Sequence, residues 1–194
     1  MDNTKSLIER AKEFATMAHE GQFRLGKKKE PFIAHPALVA SLVCLSEGRI
    51  VAQIAAAWLH DVVEDASNGD RVGMHKTIRK LFGKTVAEIV DGLTDPPEFE
   101  GLPLLERKAL QAERVATKSA GVKRVKLADQ IANVTSLATD PPIKWSLEER
   151  RNYLDGARLV AEQCAGISLF LDNTWTRAYA KTEEALEKRR LTGE

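Results

Sequence analysis

The stretch Trp58-Leu59-His60-Asp61-Val62-Val63-Glu64-Asp65 sets one imidazole and three carboxylates at the end of an almost wholly apolar run, Ile50 to Leu59. On a helix His60 and Glu64 lie one turn apart, and so do Asp61 and Asp65, so all four crowd one sector. Carboxylates packed at the end of a buried helix repel one another at neutral pH. A divalent cation relieves that repulsion, and an adjacent His-Asp pair supplies mixed nitrogen and oxygen ligands for it. The plainer reading is a solvated helix end with a histidine beside it.

Three other places carry residues of the same kind. In Ile33-Ala34-His35-Pro36 the proline suits the first turn of a helix, which fixes His35 at a helix start. A lone histidine there is more often structural, and His35 gains weight from the second histidine and the acids that follow. Lys126, Asp129 and Asn133 fall at spacings of three and four on an otherwise apolar helix and share one face. They are either an ion pair at the rim of the core, or a further metal ligand, Asp129, with Lys126 and Asn133 reaching a bound anion or sugar. The run Gln22-Phe23-Arg24-Leu25-Gly26-Lys27-Lys28-Lys29 is either a soluble connector or an anion clamp. Arg24 is its member best suited to stack on a base or fork onto phosphate.

The elements that must position these groups read as helix after helix. Leu7, Ile8, Ala11, Phe14, Ala15 and Ala18 follow the helical period, with Asp2 to Thr4 as N-cap candidates and Gly21 as the stop. Leu38, Val39, Leu42 and Val43 give the helix after His35 a buried stripe, and the next helix is expected from Arg49 to Val63. Two short helices, Arg71 to Phe82 and Lys84 to Leu93, are separated by Gly83, which fits a C-cap. The turn Asp95-Pro96-Pro97-Glu98 cannot be helical throughout. A charged helix, Leu104 to Lys118, offers Leu105, Ala109, Ala112 and Val115 as an inner face. The helix from Val122 to Leu137 follows. Ser146 with Glu149 forms a capping box for a helix from Leu147, and a last helix runs from Ile167 to Arg190. Phe170, Trp175 and Tyr179 are expected in the core, and His19 and His75 at the surface. No strand and no internal repeat is evident.

The chain has 194 residues, enough for one domain with a sizeable core. Twenty-nine lysines and arginines against 28 acids give no general attraction for nucleic acid, so an anionic ligand needs a local basic patch. Cys44 and Cys164, both in apolar helical surroundings, are expected to be buried free thiols of a reducing compartment. The start of the chain lacks a signal-peptide pattern, and no apolar run reaches the length of a membrane span, so a cytoplasmic location is expected.

His35, His60-Asp61 and the distant Asp129 resemble the H…HD…D pattern of the HD phosphohydrolases. Ala34-His35-Pro36, Leu59 to Asp65, Phe82-Gly83-Lys84-Thr85-Val86, Val90-Asp91-Gly92-Leu93-Thr94 and Val125-Lys126-Leu127-Ala128-Asp129 are similar to the hydrolase domain of RelA/SpoT homologues. Leu105 to Gln111 and Lys118 to Lys123 resemble the stand-alone small alarmone hydrolases more closely still. The resemblance covers roughly residues 1–165. It implies an all-α HD-domain bundle, a single domain over 1–194 with a metal-site core at about 31–140 and C-terminal helices at 146–190 packed on it. It implies a monomer or homodimer acting on a nucleotide, with no nucleic acid or membrane partner.

The activity implied is Mn²⁺-dependent removal of the 3′-pyrophosphate of guanosine 3′,5′-bispyrophosphate (ppGpp) and its relatives, giving GDP or GTP and pyrophosphate. One Mn²⁺ would be held by His35, His60, Asp61 and Asp129. Glu64 and Asp65 match a Glu-Asp pair assigned to water activation and pyrophosphate departure. Arg24 would meet the base, and Asn133 the ribose. Tyr153 would line the site from the following helix, and Lys126, Lys27 and Arg150 would serve the phosphates. Three departures bear on selectivity: Leu25 where a lysine is common, Gln130 where a basic residue is common, and Glu149 in place of an arginine, with Arg150 one place along. They leave open an adenosine alarmone (ppApp), or another nucleotide such as the 2′-phosphate of NADPH or a nucleoside monophosphate. A non-catalytic HD interaction module is the reading from another class.

Overall fold

The computed structural model describes residues 5–192 of the chain. The helices are α1 (Leu7–Ala18), α2 (Ala34–Leu45), α3 (Val51–Leu59), α4 (Val62–Asp65), α5 (Arg71–Phe82), α6 (Lys84–Leu93), α7 (Leu104–Ala116), α8 (Ala120–Thr139), α9 (Leu147–Glu162) and α10 (Leu169–Thr192). Among the described residues there is no strand, only an isolated bridge from Phe23 to Pro31 that pins the base of the basic loop. The all-α expectation holds.

Local chemistry fixes most helix ends. Ser6 and Glu9 form a capping box on α1, and Ser146 and Glu149 form the expected one on α9. Such a box satisfies two orphan backbone donors at once. The candidates Asp2 to Thr4 lie outside the described residues, and Ser6 takes the cap. Gly83, with φ of 88°, closes α5 and opens α6, where any side chain would be strained. α1 stops at Ala18, before Gly21 turns the chain with φ of 74°.

α3 is the central post. Ala55, Ala56, Ala57 and Leu59 are fully buried, and α1, α2, α6 and α8 pack on it. Its alanines let neighbouring backbones come close. α8 is buried on nearly every side, between α2, α6 and α3 near its start and α9 and α10 further on. A helix enclosed this way must pair every polar side chain it carries. A second apolar cluster, Val134, Leu137, Leu154, Ala157 and Leu186, fastens α9 and α10 to the far half of α8. Phe170, Trp175 and Tyr179 are partly buried and pack against these clusters, as the sequence suggests. No helix among the described residues is long and apolar enough to cross a membrane.

Several expectations are corrected. The helix expected from Arg49 to Val63 is two segments, because the His60 ring bonds the Ala57 carbonyl at 2.8 Å, the acceptor that a continuing helix would give to the Asp61 N–H. His60 and Asp61 keep helical dihedrals, so the chain kinks rather than unwinds. Leu38 is 41% exposed, and the inner face of α2 is His35, Pro36, Val39, Leu42 and Val43. Leu105 is 43% exposed, and the inward stripe of α7 is Lys108, Ala112 and Val115. His19 is buried, stacked on Phe32 at 4.6 Å, because the loop after α1 folds back over it. Cys44 is exposed while Cys164 is buried.

Candidate metal centre and nucleotide cleft

Three parts of the fold bring the expected metal ligands to one point. His35 comes from the first turn of α2, His60 and Asp61 from the kink between α3 and α4, and Asp129 from the middle of α8. The two imidazoles meet at 3.2 Å between their Nε2 atoms. Asp61 reaches both, with Oδ2 3.4 Å from His35 Nε2 and Oδ1 3.2 Å from His60 Nε2. Asp129 Oδ1 lies 3.3 Å from His35 Nε2 and 3.8 Å from His60 Nε2. Donor atoms of His35, His60 and Asp61 all fall within 4.8 Å of one another.

The surroundings aim these groups. The His60 Nδ1–H donates to the Ala57 carbonyl, which leaves Nε2 with its lone pair toward the centre once the ring is neutral. Asp129 is held at both oxygens. Oδ1 accepts from Asn133 Nδ2 at 2.6 Å, and Oδ2 accepts from Gln130 Nε2 at 2.9 Å with Lys126 Nζ at 3.6 Å. The expected face of Lys126, Asp129 and Asn133 therefore exists, and its ion pair lies beside the two histidines.

The electrostatics prepare the same centre. Burial works against a charged Asp61, yet the neighbouring His60 outweighs it and holds the carboxyl down to about 2. Asp129 is likewise well below the carboxylate range, because Lys126 and the two histidines overcome burial. Burial also opposes a charged His60, but Asp61 and Asp129 prevail and draw a proton onto that ring, while burial keeps His35 neutral. Two ionised carboxylates and two facing imidazoles around one point form a mixed N/O donor set that fits a divalent cation. A cation at this point would replace the proton drawn onto His60.

Glu64 and Asp65 follow at the next turn. Glu64 Oε1 accepts from the Asp95 N–H at 2.6 Å, which fixes it at the cavity wall. Burial pushes Glu64 up to about 7, and pushes Asp65 up to about 6 with Asp61 adding to it. The backbone carbonyl of Asp65 accepts from Gln22 Nε2 at 2.8 Å, and Gln22 Oε1 pairs with the buried His19.

Two adjoining hollows share Arg24, Phe32, Asp65, Asn133 and Tyr153. The inner one, about 260 Å³, holds the metal ligands, Glu64, Asp95, and a basic wall of Arg107, Lys108 and Lys126. The outer one, about 440 Å³, is lined chiefly by Phe23, Leu25, Leu137, Pro142 and Trp145. Arg24 spans the two: its Nη2 donates to Asn133 Oδ1 at 3.0 Å and its guanidinium lies 5.8 Å from the Phe32 ring. Tyr153, its phenol pushed above the usual range by burial, is 5.3 Å from the Trp145 ring. Of the site residues read from sequence, Lys27 and Arg150 line neither hollow: Lys27 is exposed on the loop and Arg150 is half-buried on α9. The structure adds Asp95, Arg107, Lys108, Gln111 and Trp145. Their signals were a double-proline turn, the Leu105 to Gln111 stretch of a charged helix with its family resemblance, and the stretch before a capping box, none of which says which side chains face inward.

An all-α bundle that gathers two histidines and two aspartates from separate helices in this order is an HD-domain architecture. The HD-domain family profile matches residues 11–151, so the chain belongs to the HD-domain family, in the branch of the MESH1 3′-pyrophosphohydrolases. It is 35% identical over 175 residues to the guanosine-3′,5′-bis(diphosphate) 3′-pyrophosphohydrolase MESH1 of Xenopus tropicalis, covering 89% of this chain and 92% of that one. The human MESH1 is 35% identical over 164 residues, with 84% and 87% covered. Among solved structures, one described as a metazoan orthologue of SpoT that hydrolyses ppGpp superposes with a TM-score of 0.80 at 27% identity, over 93% of this chain and 98% of that one.

Proposed function

We propose that this protein removes the 3′-pyrophosphate of guanosine 3′,5′-bispyrophosphate-type alarmones with the help of one Mn²⁺ held by His35, His60, Asp61 and Asp129. The observation that carries this reading is the joined cleft: a charged inner hollow at the metal donors, an apolar outer hollow, and Arg24, Asn133 and Tyr153 at the passage between them. A nucleoside fits the outer hollow, its ribose the passage, and its 3′-pyrophosphate the inner hollow. The relatives named for this reaction support the same substrate class.

In the proposed reaction water adds to the 3′-phosphorus, the bond from that phosphorus to the ribose 3′ oxygen breaks, and the products are a nucleotide with a free 3′-hydroxyl and pyrophosphate. A bound divalent cation supplies charge neutralisation and a water of lowered pKa. Glu64, poised near 7 and held by the Asp95 N–H, is matched to accept the water's proton. Asp65, raised to about 6, can carry a proton toward the departing ribose oxygen. Lys126, kept charged above the usual lysine range because Asp129, Asp95 and Glu64 outweigh burial, offsets the phosphate charge together with Arg107.

The test is pyrophosphate release from ppGpp and from ppApp, with Mn²⁺ and after chelation, beside Asp61→Ala. Release that depends on Mn²⁺ and disappears in the variant is expected, and the ratio of the two rates reads the base preference that Leu25 and Gln130 leave open. No release from either nucleotide by a protein that binds Mn²⁺ would defeat the reading.

A further inference from the structure

Lys108 is a buried amine that the proposed reaction leaves unexplained, its pKa pushed down to about 7 by burial, with Lys126 adding to it. It lies on the inward stripe of α7, 4% exposed, at the wall of the inner hollow. Burying a lysine costs free energy unless its surroundings compensate. Its Nζ donates to Gln130 Oε1 at 3.0 Å and stands 4.6 Å from the centre of the Tyr153 ring. Gln130 is itself 1% exposed and uses its other end, Nε2, to donate to Asp129 Oδ2. The amide thus has both ends engaged, and its orientation is set: the NH₂ must face the carboxylate, which leaves the oxygen to accept from Lys108 Nζ. α9 makes room for this arrangement with Gly156. A Cβ at that position would stand 2.6 Å from Lys108 Cγ.

We propose that Lys108 is a positioning residue which, through Gln130, fixes the rotation of the Asp129 carboxylate so that Oδ1 faces the histidine pair, and which at the same time seats Tyr153 against the passage between the two hollows. The role rests on the metal site proposed above. Without the lysine the Gln130 oxygen is left buried and unpaired, so the amide loses its tether and can swing away from Asp129 Oδ2 to find another donor, freeing the carboxylate it now holds. A side chain of this kind acts on a ligand through one intermediary, as the supporting hydrogen bonds of metal sites do.

The sign of the effect separates positioning from charge. A cation that acted only through its field would repel Mn²⁺, so removing it would tighten the metal. Positioning requires the opposite. Mn²⁺ affinity is measured on the purified protein by calorimetry or spin resonance for wild type, Lys108→Met, Gln130→Met and the double variant, with thermal unfolding of the metal-free proteins as the check on folding. Gln130→Met should weaken Mn²⁺ by about 10- to 100-fold and Lys108→Met by about tenfold, in the range known for such supporting contacts. The double variant should bind within about twofold of Gln130→Met, because the lysine acts through the amide. Binding by Lys108→Met that is unchanged or tighter, or effects that multiply in the double variant, would overturn the proposal. Gln130→Met probes the same link from its other side should Lys108→Met not fold. The titration needs no nucleotide, so a wild type that binds Mn²⁺ but releases no pyrophosphate would defeat the alarmone reading and leave this result standing.

Discussion

The two ends of the cleft are built on opposite terms. At the inner end the donors stand on helices or at a helix kink and are nearly all buried, and His60 and Asp129 are each restrained by a further hydrogen bond. At the outer end the wall comes largely from loops, and two of its apolar members, Phe23 and Leu25, are 56% and 70% exposed. Rigid, dry surroundings strengthen electrostatics and hold reacting groups in register. A half-open apolar wall instead grips by contact area and tolerates change. On the proposed function the difference separates the labour: chemistry at the inner end, recognition of the nucleoside at the outer.

The largest effect that can test this division is at Glu64. Glu64→Gln keeps the shape and the bond from the Asp95 N–H but removes the base. It is expected to lower kcat by about 10²- to 10⁴-fold, the usual worth of a general base, with Mn²⁺ affinity little changed. In wild type the base must be ionised, so kcat/KM should fall as pH drops below about 7, the position to which burial moves this group. An acid limb near the ordinary carboxylate range, or Glu64→Gln at full rate with metal bound, would remove Glu64 as the base and blur the contrast.

The same substitution has a smaller effect on stability that isolates the cause of the shift. Burial raises the folded-state pKa of Glu64 from 4.5 to about 7. The group therefore contributes no penalty below about pH 4.5, where it is protonated in both states. Above that the unfolded chain ionises first, and stability is lost as pH rises until the folded group also ionises near 7. In the chelated protein Glu64→Gln should leave the unfolding temperature unchanged at pH 4.5 and raise it by several degrees at pH 8, on the order of 2 kcal/mol. An equal change at both pH values would assign the effect to packing instead.

How much of this was legible in the sequence follows the same division. His35, His60, Asp61 and Asp129 were legible because helical spacing turns sequence positions into directions, and each sits where an apolar stripe breaks. The short helices Arg71 to Phe82 and Lys84 to Leu93 were legible to the residue because Gly83 punctuates them. Lys108 was not, since on α7 a lysine interrupts the apolar period and Leu105 looked the better inward residue. Nothing local says that α7 faces a charged hollow rather than the core. His19 was missed for a related reason: the loop that buries it returns from Phe32, and periodicity carries no information about loops. Lys27 and Arg150, read from their places in the resemblance as phosphate contacts, line neither hollow, because a sequence position on a loop or helix does not say where the side chain points.

The smallest effect belongs to the outer end and sharpens the comparison most. Trp145 lies after the Pro141-Pro142 turn, bonds its N–H to the Pro142 carbonyl at 3.2 Å, and stands beside Tyr153. An aromatic face in this place offers stacking to a purine, worth about 1–3 kcal/mol per base. None of the metal donors or of the Glu64-Asp65 pair touches it, so its contribution should be equal in the ground state and the transition state. Trp145→Ala is therefore expected to raise KM about tenfold with kcat within about twofold, for guanine and adenine substrates alike. If kcat fell instead and KM stayed put, the outer wall would be helping to align the pyrophosphate, and the two ends of the cleft would have to be treated as one catalytic unit.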